Sequence, residues 1–124
     1  MTLVFPFLPS AALSANSHAH WRGRQKAAKQ LRTDAYLYAK QQTGPLDLQH
    51  AVVTIQIRCK NPNQRRDLDN YQVRLKPLFD GLVDARIIVD DSWRVLRTQW
   101  ADPPFVNGDD AIVLDIEDAR SATP

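Results

Sequence analysis

Residues 65–92, RRDLDNYQVRLKPLFDGLVDARIIVDDS, hold the side chains best suited to chemistry. Asp67 and Asp69 are spaced so that, in an extended chain, both carboxylates point the same way and converge on one point. Asp90 and Asp91 follow the apolar run Ile87-Ile88-Val89, which places them at the exit of an expected strand. A helix followed by a strand can return that exit to the helix start, crowding three or four carboxylates together with Lys76 alongside. Like charges at such distances raise one another's pKa unless a cation neutralises them. An oxygen-only ligand set suits a hard cation, Mg²⁺ or Mn²⁺, rather than zinc. The same residues also have ordinary uses. Asp-x-Asp-Asn ahead of a helix can serve as an N-cap, and Asp90-Asp91-Ser92 can be a solvated turn.

Bringing these groups together requires a framework, and the hydrophobic periodicity outlines one. Tyr71, Leu75, Leu78 and Leu82 repeat at four, three and four, the core face of a helix, and Pro77 removes one of its hydrogen bonds so that it kinks or restarts there. A strand is expected at 86–90, then the aspartate turn, then a strand at about 93–100 that Asp102-Pro103-Pro104 breaks. Ile112, Leu114 and Ile116 alternate along a final strand at 111–117.

Upstream, Leu3, Phe5 and Phe7 mark a first strand that Pro6 keeps irregular or at an edge. A loop from Pro9 to Trp21 follows, carrying His18 and His20, with Trp21 expected to seal the core and Arg22 and Arg24 close by. The two histidines lack a further Cys or acid nearby, so beside Arg22 and Arg24 they fit an anionic partner better than a metal. Residues 25–42 read as a helix with the stripe Ala28, Leu31, Ala35 and Tyr38, stopped by Gly44-Pro45. Lys26, Lys29 and Lys40 lie opposite that stripe, either tracking phosphates or simply solvated. Residues 51–60 alternate Val53, Ile55, Ile57 and Cys59 against Thr54, Gln56, Arg58 and Lys60, the pattern of a half-exposed strand. The order β-α-β-α-β-β-β gives an α+β fold: one small domain over 1–124, two helices packed on a mixed, mostly antiparallel sheet.

Composition narrows the partners. No apolar run approaches the roughly 18 residues of a membrane span. The apolar N-terminal stretch has no basic lead and carries Pro6 and Pro9, so it reads as strand and loop rather than as a signal peptide. The single cysteine, Cys59, excludes an internal disulfide and a cysteine-cluster metal site. Charge is divided unevenly. Residues 1–66 carry ten Lys/Arg against two acids, and residues 67–124 carry six against twelve. A basic half suits a polyanion and an acidic half suits cations. Arg58, Lys60, Arg65 and Arg66 lead straight into the carboxylates and are candidates for holding the phosphates of such a polyanion.

Arg65-Arg66-Asp67-Leu68-Asp69-Asn70, Lys76, Asp80-Gly81-Leu82 and Val89-Asp90-Asp91-Ser92 together resemble the signature of RusA-type Holliday-junction resolvases. The likeness is dense over 28 residues and thinner outside them, where it rests on Pro9, Ser10, Asn16 and element order. It implies a small, homodimeric, Mg²⁺-dependent endonuclease (Mn²⁺ an alternative) that nicks four-way junctions, cytoplasmic and bacterial or prophage-encoded. It further implies a catalytic set of Asp67, Asp69, Lys76 and Asp91, with the three aspartates holding metal. The better-known form of the family carries its lysine four residues beyond the second aspartate, where this chain has Val73. Lys76 stands three residues later, about 300° of helix and 4.5 Å along the axis, and Arg74 is its rival for the role and a further candidate for DNA contact. Two other readings fit the same residues. One is a metal-dependent nuclease acting on flaps, other branched DNA or single strands; the other is a non-catalytic DNA-binding relic whose aspartates are caps.

Overall fold

The computed structural model describes residues 1–14, 20–63 and 68–119. It is an α+β domain with a four-stranded mixed sheet in the order β1-β4-β2-β3. The strands are β1 (Thr2–Phe5), β2 (Ala51–Cys59), β3 (Leu96–Asn107) and β4 (Ala111–Asp118). The helices are α1 (Trp21–Gln42), α2 (Leu68–Arg74) and α3 (Lys76–Asp84). The β1–β4 and β4–β2 pairs are antiparallel, and β2–β3 is parallel.

Register explains the core. Leu3 pairs with Leu114, which pairs with Ile55, and Phe5 pairs with Ile112, which pairs with Ile57. All of these are buried, as are Val53 and Ile116, whereas their neighbours along each strand, apart from Ala111 at the start of β4, are partly or fully exposed. The period-two pattern thus puts one face of the sheet against the helices. Leu31, Ala35 and Ala39 of α1, with Tyr71, Leu75, Leu78 and Leu82, complete the buried cluster. No helix among the described residues is long and apolar enough to cross a membrane.

Three details differ from the sequence expectations. First, α1 begins at Trp21, four residues early, because the Nδ1 of His20 accepts a hydrogen bond from the Arg22 amide and caps the helix. Trp21 therefore sits on the exposed first turn at 56% accessibility and does not seal the core. Second, the strand expected at 86–90 is reduced to a single parallel bridge between Leu48 and Ile88. Arg86 has a left-handed backbone (φ 61°), and the adjacent Ile87 and Ile88 are both fully buried. A strand with one buried face would expose one of that pair.

Third, β3 starts at Leu96 rather than 93, because Ser92–Val95 closes a turn through bonds from the Val95 and Leu96 amides to the Ser92 carbonyl. It also runs on through Pro103 and Pro104 to Asn107. Trp100 faces Ile55 and Phe105 faces Ile57, so the prolines are taken up in a bulge opposite Gln56, whose amide donates to the Pro103 carbonyl at 3.1 Å. In keeping with the kink or restart expected at Pro77, the second helix is two helices, α2 and α3. The restart falls at Leu75, ahead of Pro77 in the first turn of α3, where a missing N–H costs nothing.

The helical layer depends on a close crossing. A methyl group built on Gly81 of α3 would lie 2.5 Å from the Arg32 carbonyl oxygen and 2.7 Å from the Ala35 Cβ of α1. One turn away, the Arg32 guanidinium grips Asp84 with two bonds of 2.6 and 2.8 Å, which holds the Asp84 carboxyl below its ordinary pKa. Gly81→Ala is expected to destabilise the domain by about 1–3 kcal/mol through overpacking against rigid backbone. Gly23→Ala, on an exposed turn of α1 with nothing within 4 Å, is expected to stabilise it by about 0.5–1 kcal/mol through helix propensity. Thermal melts of both variants check the pair; equal midpoints would refute the tight crossing.

Candidate functional site

The groups that meet in this structure are Lys76, Asp80 and Asp91. Lys76 is the first residue of α3, and its ammonium donates to Asp80 Oδ1 at 2.7 Å and to Asp91 Oδ2 at 2.5 Å. Asp80 lies four residues on, the separation at which helix neighbours face each other. Asp91 arrives from the segment after the Leu48–Ile88 bridge. That segment is anchored by the Val89 amide on the Leu48 carbonyl and by the buried side chains of Ile87 and Ile88. Of the Asp90–Asp91 pair, Asp91 makes the contact with Lys76 and is the more enclosed.

The local electrostatics are unusual for a helix start. The helix dipole makes the N-terminus of α3 a poor place for a cation, yet two carboxylates hold Lys76 there. The bond to Asp80 and then that to Asp91 push the Lys76 ammonium above its ordinary pKa. In turn the Lys76 bond holds the Asp91 carboxyl below the usual carboxylate range, against partial burial that would raise it. Because the Asp91 pKa is depressed in the folded state, its contribution to stability is present above the ordinary carboxylate pKa. It is lost as pH falls through the lower, folded value. With Lys76 64% exposed, the pair is worth about 1 kcal/mol or less.

These residues border an open groove of about 590 Å³, whose walls include Gln72 and Val73 of α2, Lys76, Asp91, Trp93 and Thr98. The Gln72 amide donates to the Thr98 hydroxyl at 3.0 Å, tying α2 to β3 along one wall. Asp69 lies in the first turn of α2, three and four residues before Gln72 and Val73 and so on the face that leads into the groove. Asn70 accepts a 2.8 Å bond from the Ser14 hydroxyl, which fixes the start of α2 to the N-terminal segment.

Arg74 points elsewhere. Its guanidinium lies 4.8 Å over the Tyr71 ring, and its Nε is buried without a hydrogen-bond partner. Arg58 is exposed on the outer face of β2 and Lys60 is exposed just beyond its end. Lys26, Lys29 and Lys40 are exposed on α1, with Lys40 bonded to the Tyr36 hydroxyl. Asp67, Arg65 and Arg66 lie outside the described residues, as do Asn16 and His18. Among the described residues no three His, Cys, Asp or Glu side chains group as a metal site.

Sequence reasoning singled out Lys76 and Asp91 but gave no role to Asp80 or Trp93. The i, i+4 spacing of Lys76 and Asp80 was a usable signal for the first. Trp93 stands two residues beyond Asp91 in the sequence, but only the tertiary structure shows it exposed on the wall of the same groove.

Removing the Lys76 charge should release Asp91. In Lys76→Met the carboxyl of Asp91 is expected to titrate higher, back toward the ordinary range, as followed by carboxyl NMR. An unmoved titration would remove Lys76 as the cause of the depressed value. No protein-family model matches the chain, and no curated protein matches it significantly.

Proposed function

We propose that the chain is a Mg²⁺-dependent endonuclease of the kind it resembles, acting on branched DNA such as four-way junctions, as a homodimer. The observation that carries this reading is the seating of Lys76. Although displaced by three residues from the position of Val73, its ammonium reaches Asp91 and lines an open groove walled on one side by Gln72 and Val73 of α2, the helix whose first turn holds Asp69. The helix break at Leu75 puts Lys76 at the head of α3, from where its ammonium reaches Asp91. Arg74, committed to the Tyr71 ring, is the weaker candidate for the catalytic cation.

The carboxylates assigned to the ion, Asp91 at the groove and Asp69 at the start of α2, offer oxygen donors alone, the chemistry that a hard divalent cation such as Mg²⁺ prefers. Asp69 and Asp91, with Asp67, would hold the ion. When bound, the ion supplies a more acidic water and positive charge beside the phosphoryl oxygens. The chain's own residues do the rest. Asp80 keeps the Lys76 ammonium at the groove wall, where it can neutralise charge on the transition-state phosphate or on the leaving oxygen. Arg58, Lys60, Arg65 and Arg66 would bind flanking phosphates and fix the register of the strand. Two such sites in a twofold dimer would nick two opposed strands, the geometric need of junction resolution.

Cleavage of four-way junction, flap and linear duplex DNA in Mg²⁺ tests the proposal. Wild type is expected to cut the junction, with Asp69→Asn and Asp91→Asn inactive but still binding it, since loss of a negative charge reduces repulsion of DNA. Lys76→Ala is expected to slow single-turnover cleavage by about 10²-fold, the scale of losing one transition-state charge partner, while Arg74→Ala cuts near the normal rate. A flap cut in preference to the junction would assign a different substrate shape, and near-normal cutting by Asp91→Asn would refute the metal site.

Substituting both Arg65 and Arg66 by Ala should weaken binding and flatten the slope of log affinity against log salt, because fewer counterions are released. An unchanged slope would make them structural partners of the aspartates instead.

A further inference from the structure

Trp93 is the most exposed of the large hydrophobic side chains among the described residues, at 78% accessibility. An indole normally buries 150–250 Å² and supplies much of a core's energy; this one forgoes that. Its place is specific. It stands two residues beyond Asp91, in the turn leading to β3, and borders the same groove as Lys76 and Asp91. The Arg94 guanidinium lies 5.3 Å from the indole centroid. An indole so exposed, with a cation over its ring, keeps open surface for a second flat partner. Across the groove are the half-exposed Val73 and the hydrogen-bonded Gln72–Thr98 pair.

The groove therefore offers an aromatic plate, a polar edge and the Lys76 cation beside the proposed cleavage centre, with Arg94 against the indole. A flat, partly polar heterocycle attached to an anionic backbone matches each of these parts. Stacking of that kind is how proteins hold unpaired bases, with Arg adding a cation–π contribution. Bases inside a continuous duplex are already stacked on one another and cannot lie on such a plate.

We infer that Trp93 is the stacking platform for an unpaired nucleobase next to the scissile phosphate, so that the groove selects DNA with an unstacked base over continuous duplex. The inference rests on the nuclease reading above and names the structural feature of the substrate that the site recognises. Trp93 is then a specificity residue, outside the hydrolytic chemistry itself.

The test uses the full chain and three DNAs: a four-way junction with one unpaired thymine at the branch, the same junction with an abasic site there, and a linear duplex of equal length. Binding is measured without divalent metal, and cleavage with Mg²⁺. Trp93→Ala is expected to lose roughly tenfold in affinity for the unpaired-thymine junction and nothing for duplex, the scale of one stacked base. Trp93→Tyr should keep most of the preference, and wild type should lose a similar factor on the abasic junction. Binding of the thymine junction should quench a tryptophan emission component that is missing from Trp93→Ala.

Equal losses on junction and duplex, or no loss on either, would overturn the inference. So would a shift in oligomeric state on Trp93→Ala, which would make the indole a contact between copies of the chain. The two readings fail separately. Wild type that cuts no DNA but keeps the Trp93-dependent preference retains the platform and sinks the nuclease. Active Trp93→Ala with unchanged binding does the reverse.

Discussion

The contact between α1 and α3 at Gly81 is the constraint on which the rest of the arrangement depends. Only a residue without a side chain lets the two backbones approach so that the Arg32 carbonyl and Ala35 lie where a Cβ would be. That approach lets α3 lie flat enough to bury Leu78 and Leu82 completely while α1 buries Leu31, Ala35 and Ala39. The Arg32–Asp84 pair joins the two helices at the surface. With Leu78 and Leu82 turned into the core, Asp80, next to Gly81, lies partly exposed beside Lys76.

The second constraint is the break between α2 and α3. A continuous helix through 68–84 would need the Pro77 amide, which proline lacks. Restarting at Lys76 places proline where the missing donor is harmless and puts a lysine at the positive end of a helix dipole. Asp80 and Asp91 offset that unfavourable position and hold the ammonium at the groove. The three residues that displace the lysine from the aspartates are thus absorbed by starting a new helix, and the cation still meets the carboxylate that follows the buried Ile87–Ile88 pair.

Asp91 owes its position to packing rather than to a strand. Arg86 turns left-handed, pairs its guanidinium with Asp47 and accepts bonds at its carbonyl from the Leu46 and Asp47 amides. Both isoleucines then enter the core together. The chain emerges at Val89 already aimed at the head of α3, so a short irregular segment does the work that a regular strand was expected to do.

The sequence by itself determined the α+β class, the buried stripes of α1, α2–α3, β2 and β4, and the helix restart at Pro77. These are local properties: periodicity of two or 3.6 and the missing proline donor are written into consecutive residues. Its resemblance to a known signature also singled out Lys76 and Asp91. Tertiary structure alone decided the rest. The continuation of β3 past two prolines depends on a bulge against Gln56, a partner more than forty residues away. The loss of the strand at 86–90 depends on the core accepting two adjacent side chains. The exposure of Trp21 and of Trp93 depends on which surfaces other elements leave uncovered. Composition cannot specify that, because an indole in a loop is equally suited to filling a core or facing a ligand until the packing around it is known.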